Sequence, residues 1–94
     1  MAYTIILDDR AANDVRALRR YDQQRIIESI NRFLTTAPSV DQPPRIIRLE
    51  QPAVSEFRLR VGEFRVYNVI EQGQYVAILR IVKKENDGIS WKLW

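Results

Sequence analysis

Residues 56–70 read Glu56-Phe57-Arg58-Leu59-Arg60-Val61, then Gly62-Glu63, then Phe64-Arg65-Val66-Tyr67-Asn68-Val69-Ile70. The alternation is that of a hairpin, and Gly62-Glu63 is the length of a two-residue turn in which glycine supplies the positive φ of type II′. With that turn, Val61 faces Phe64, Arg60 faces Arg65 and Arg58 faces Tyr67. Phe57, Leu59, Val61, Phe64, Val66 and Ile70 then share one face, and Arg58, Arg60, Arg65 and Tyr67 share the other. Like charges directly opposite on neighbouring strands cost a sheet a few tenths to about 1 kcal/mol. Stability alone gives no reason to gather them, whereas an anionic partner does.

Working outward, the rest of the chain is expected to complete one domain over residues 1–94. A hydrophobic fraction of 46% with three glycines and four prolines describes a globular chain. No run approaches the length of a membrane span, and Met1-Ala2-Tyr3-Thr4 carries no basic region ahead of an apolar one, so a cytoplasmic location is expected. The chain has no cysteine and no histidine. That removes disulfides, thiolate nucleophiles and the commonest general base, and no metal or cofactor is expected. Of the fifteen basic residues, all but Lys83, Lys84 and Lys92 are arginine, whose planar fork matches phosphate oxygens.

Ahead of the hairpin, Tyr3-Thr4-Ile5-Ile6-Leu7 reads as a strand that breaks at Asp8-Asp9, residues suited to a helix N-cap. Ala11, Val15 and Leu18 draw a narrow stripe on a first helix between Arg10 and Arg20. Asp22 is placed to cap a second helix, with Tyr21 and Ile26 forming a hydrophobic staple and Ile26, Ile27, Ile30, Phe33 and Leu34 facing the sheet. Arg25, Glu28 and Arg32 read as its solvated side. The residues from Thr35 to Pro44, with Pro38, Pro43 and Pro44, form a loop. A short apolar run, Arg45 to Leu49, follows and is closed by Gln51-Pro52.

Beyond the hairpin, Glu71-Gln72-Gly73-Gln74 is a polar turn, and Tyr75 to Val82 is apolar on both faces, as a central strand should be. If Ile70 pairs with Tyr75, Tyr67 meets Ile78 and Arg65 meets Arg80, which adds a fourth arginine to the basic face. The tail from Lys83 to Trp94 carries two tryptophans, for which packing on the sheet rim, stacking on a base and contact with a partner chain all stand open.

The order strand, two helices, proline-bearing loop and three-strand meander resembles the RelE/ParE superfamily of bacterial toxins from type II toxin-antitoxin modules, on the RelE side. The likeness runs through Met1-Ala2-Tyr3, Arg10-Ala11 and Arg25-Ile26-Ile27-Glu28. It is most specific at Phe57-Arg58-Leu59-Arg60-Val61-Gly62-Glu63-Phe64-Arg65-Val66-Tyr67 and Ile78-Leu79-Arg80-Ile81-Val82-Lys83-Lys84. The resemblance implies an α+β fold: a small, twisted, mainly antiparallel sheet, made of the N-terminal strand and the C-terminal three-strand meander, with two helices packed on one face.

It also implies a ribosome-dependent mRNA endonuclease that inhibits translation, working by attack of a 2′-hydroxyl on the adjacent phosphate. By the same resemblance, Arg65 stabilises the scissile phosphate and Arg58 and Arg60 bind phosphates or serve proton transfer. Lys84 is a further catalytic candidate, and Tyr67, Arg80, Lys83 and Lys84 are RNA contacts. The partners implied are a cognate antitoxin, the ribosome and mRNA. Residues Asn86 to Trp91 carry neither the further arginine nor the tyrosine or histidine usual near the C-terminus of active RelE-like toxins. Two alternatives therefore stand beside the nuclease: a non-enzymatic inhibitor of DNA gyrase, as among ParE-like members, and a toxin fold with little catalytic power.

Overall fold

A computed structural model describes residues 3–35, 45–49 and 55–83. Strand β1 (Thr4–Leu7) leads into helix α1 (Asp9–Arg16) and helix α2 (Arg20–Ser29), which runs on as a π-helical turn, Ile30–Leu34. Then come β2 (Ile46–Arg48), β3 (Phe57–Val61), β4 (Phe64–Glu71) and β5 (Tyr75–Lys83). The strands form one sheet in the order β1-β5-β4-β3-β2, with β1 parallel to β5 and every other pair antiparallel. The expected four strands are present, and the run after Arg45 adds a fifth as β2 on the outer edge of β3.

One face of the sheet carries both helices. Ala11, Ile26, Ile30 and Leu34 close over Phe57, Leu59, Val61, Phe64, Val66, Val76, Ile78 and Ile81 in a single buried cluster. Every hairpin residue assigned by alternation to the apolar face is in this cluster or packed against it. Asp8 caps α1 as expected, its side chain accepting from the Arg10 N–H at 3.0 Å.

The second helix begins earlier than its cap signal suggested. Arg19 is the N-cap residue and Asp22 sits inside the first turn, buried, where its carboxylate accepts from Arg19 Nε at 2.9 Å. An acid in a helix's first turn opposes the positive end of the helix dipole, so Asp22 supports the start of the helix without capping it. The staple is absent in consequence: Ile26 is fully buried and Tyr21 is 61% exposed. Ile27 is likewise exposed and lies off the packed stripe.

The register of β4 with β5 also differs. Gln72, Gly73 and Gln74 alone make the turn, with φ of +54° at Gln72 and +66° at Gly73, so that Glu71, not Ile70, pairs with Tyr75. A bulge then passes over Leu79, so Tyr67 lies opposite Arg80 and Arg65 opposite Val82. The two single-residue shifts restore the alternation, and Arg80 still falls in register with the basic face.

Strand β1 pairs with β5 only as far as Leu7 opposite Ile78, and Asp8 N–H closes that ladder on Ile78 O at 2.9 Å. Past that point Asp14 of α1 takes over the edge of β5. Its carboxylate accepts from Ile81 N–H at 2.8 Å and from Arg80 Nε and Nη2 at 2.8 and 3.1 Å. A bidentate arginine pair that also satisfies a backbone donor is costly to half-remove, because the groups left behind stay desolvated. Asp14→Ala is expected to lower stability by about 3 kcal/mol, read as a shift of the urea midpoint, and Leu59→Ala by about 2–5 kcal/mol as a core truncation.

Candidate nucleic-acid interface

The basic face is built by the hairpin turn. Gly62 has φ +57°, Glu63 is not among the positive-φ residues, and the pairs Val61–Phe64, Arg60–Arg65 and Arg58–Tyr67 form as expected. Those pairs put three arginines and a tyrosine on the sheet surface away from the helices. Their exposures differ sharply: Arg60 is exposed and Arg58 is partly buried. Arg65 and Tyr67 are buried, at 5% and 3% exposure.

Arg65 turns back on its own hairpin. Its Nη1 donates to Gly62 O at 3.2 Å and to Phe64 O at 3.1 Å. A buried guanidinium is held by hydrogen bonds to carbonyls, and here those carbonyls belong to the turn that sets the register. Arg65 is thus a buttress for the turn, opposite Arg60 on the neighbouring strand.

From the other side, Arg25 of α2 lies against the same turn, close enough that a β-carbon at position 62 would run into its guanidinium. Arg25 is half-buried and not part of a solvated helix face. Sequence periodicity gave no sign of this contact, because it joins a polar helix position to a turn 37 residues away. Glu56 was equally silent; its Oε1 accepts from Ile70 N–H at 3.2 Å.

The remaining candidates divide. Arg80 reaches the Asp14 carboxylate of α1, with both side chains largely buried. Its positive charge is matched there, a different setting from the open cation expected. Lys83 pairs with Phe64, which puts it on the helix side of the sheet and away from Arg58, Arg60 and Arg65. It lines a recess with Ala17, Leu18, Arg19, Asp22 and Glu63. Lys84, Trp91 and Trp94 lie outside the described residues.

An open five-stranded sheet with two helices on one face and arginines on the other defines the class: a small α+β protein with a basic strand surface. The family model described as "ParE toxin of type II toxin-antitoxin system, parDE" matches residues 5–88. The chain belongs to this family and is a toxin of the RelE/ParE superfamily. In fold it is similar to a chain of the toxin-antitoxin complex RelBE2 from Mycobacterium tuberculosis. The TM-score is 0.71 and the identity 21%, over 88% of this chain and 99% of that one. It is also similar to a chain of the archaeal RelE-RelB complex from Pyrococcus horikoshii OT3, with a TM-score of 0.70 and 20% identity over 89% and 97% of the two chains. No curated protein sequence matches the chain.

Gly62→Ala forces a β-carbon into the left-handed region and against Arg25. It is expected to cost about 1–3 kcal/mol in denaturant unfolding, with part of that recovered in Gly62→Ala/Arg25→Ala. Equal losses in the single and double variants would show that Arg25 does not press on the turn.

Proposed function

We propose that this toxin is a ribosome-dependent mRNA endonuclease that arrests translation and is held inactive by a cognate antitoxin. The observation that carries the reading is the register that sets the exposed Arg60 opposite Arg65 and beside Arg58 on one strand surface, where the Arg60 guanidinium is open to an RNA phosphate. In the reaction the 2′-oxygen bonds to the adjacent phosphorus and the bond to the 5′-oxygen breaks. The 2′-hydroxyl gives up a proton and the departing oxygen gains one. Arg60 and Arg58 orient the phosphate and neutralise the negative charge building on its oxygens. Arg65 holds the turn that presents Arg60. With no histidine or cysteine in the chain, Lys84 is the residue we assign to proton transfer.

A second reading, inhibition of DNA gyrase without catalysis, is favoured by the burial of Arg65 against its own turn and by a family description drawn from parDE. The two separate in a defined translation reaction read by primer extension alongside a gyrase supercoiling assay. The nuclease reading predicts new mRNA ends only when ribosomes are present, reduced at least about tenfold in Arg60→Gln, an exposed position where folding is preserved. Uncut mRNA together with loss of supercoiling would replace it with gyrase inhibition.

A further inference from the structure

The helices carry basic residues that the sheet face does not account for. Tyr21, at the start of α2, is the most exposed of the large hydrophobic side chains described. The guanidiniums of Arg19 and Arg25 lie over its ring, 5.7 and 5.6 Å from the centroid. Stacking on an aromatic ring holds a guanidinium in place; Arg25 is held between Tyr21 and the turn at Gly62, while Arg19, its side chain 75% exposed, has N–H groups beyond the Nε that Asp22 takes. Arg19 also lines the recess of about 450 Å³ that contains Lys83, Glu63 and Asp22, and Arg25 lies on the turn beside Glu63.

The lining has both signs of charge. Lys83 suits an anion, and Arg19, although paired with Asp22 through Nε, is exposed and can share one. Asp22 is engaged by Arg19 at 2.9 Å, and Glu63 is exposed. An acidic peptide brings anions alone and meets repulsion from Glu63 and Asp22. A nucleotide brings a phosphate, a planar ring and, on cytosine, adenine or guanine, amino donors that a carboxylate accepts. The recess is open to solvent, so part of a nucleotide can rest in it and the remainder lies on the surface outside.

We infer that this recess and the Tyr21 stack form a second RNA-binding station. It takes one nucleotide of a single strand, with its phosphate on Lys83 and Arg19 in the recess, its amino edge toward Glu63 and its base extending to the exposed Tyr21 beside the recess. Lys83 and Arg60 lie on opposite faces of the sheet, so a strand serving both stations crosses the tip at Gly62-Glu63. The inference rests on the RNA reading above only for the kind of polymer.

The test is equilibrium binding of a fluorescein-labelled single-stranded octaribonucleotide without ribosomes, followed by anisotropy across a salt series, so that cleavage plays no part. Tyr21→Ala and Lys83→Gln change exposed residues, and thermal melts establish that each variant folds. Tyr21→Ala is expected to weaken binding about tenfold, and Lys83→Gln to reduce the slope of log affinity against log salt by about 1. Glu63→Gln is expected to weaken an oligocytidylate more than an oligouridylate. Wild-type affinity and slope in Tyr21→Ala and Lys83→Gln, with loss in Arg60→Gln, would overturn the second station and leave the first intact. No RNA binding by the wild type, with tight binding of an oligoglutamate, would overturn both.

Discussion

The two-residue turn at Gly62-Glu63 is the constraint on which the rest of this structure depends. Because side chains alternate strictly along a strand, a turn one residue longer would exchange the faces of β4 relative to β3, burying arginines against the helices and exposing the core. The turn is secured three times over. Glycine supplies its φ of +57°, Arg65 bonds its carbonyl from within, and Arg25 closes over it from α2. The stability of the apolar face and the chemistry of the basic face are therefore consequences of the same local geometry.

A second joint fixes the helices to the sheet. Strand β1 is too short to cover β5, and Asp14 supplies the missing acceptor for Ile81 N–H while binding Arg80. One carboxylate thus continues the work of a strand. In doing so it matches the charge of an arginine that alternation alone would add to the functional surface. The basic face is narrower than the arginine count suggests, with Arg60 exposed, Arg58 partly buried, and Arg65 and Tyr67 buried on the neighbouring strand.

The parts of this fold that were legible in the sequence are those set by local rules. Alternation around Gly62 gave the β3–β4 register residue by residue, unbroken apolarity gave β5 as a central strand, and Asp8 marked the start of α1. The parts that were not legible depend on distant partners or on small differences between local options. Asp22 has the right chemistry for a cap, yet α2 starts at Arg19 and uses the acid in its first turn. The β4–β5 turn is one residue shorter than its polar run suggests, because Gln72 takes a left-handed conformation that favours glycine. The bulge at Leu79 has no signature of its own. Arg80 could be seen to belong to the basic face, but its pairing with Asp14, 66 positions away, could not.

Arg60, exposed and set opposite Arg65, is the position where an RNA phosphate would meet the basic face. The most direct measurement is the thermal stability of wild type and Arg60→Gln at low salt, each with and without a single-stranded oligoribonucleotide. Arg60→Gln is expected to melt a few degrees higher than wild type on its own, and RNA to raise the wild-type midpoint by more than it raises that of the variant. A variant that melts lower alone, or that gains as much from RNA as the wild type does, would contradict this role for Arg60.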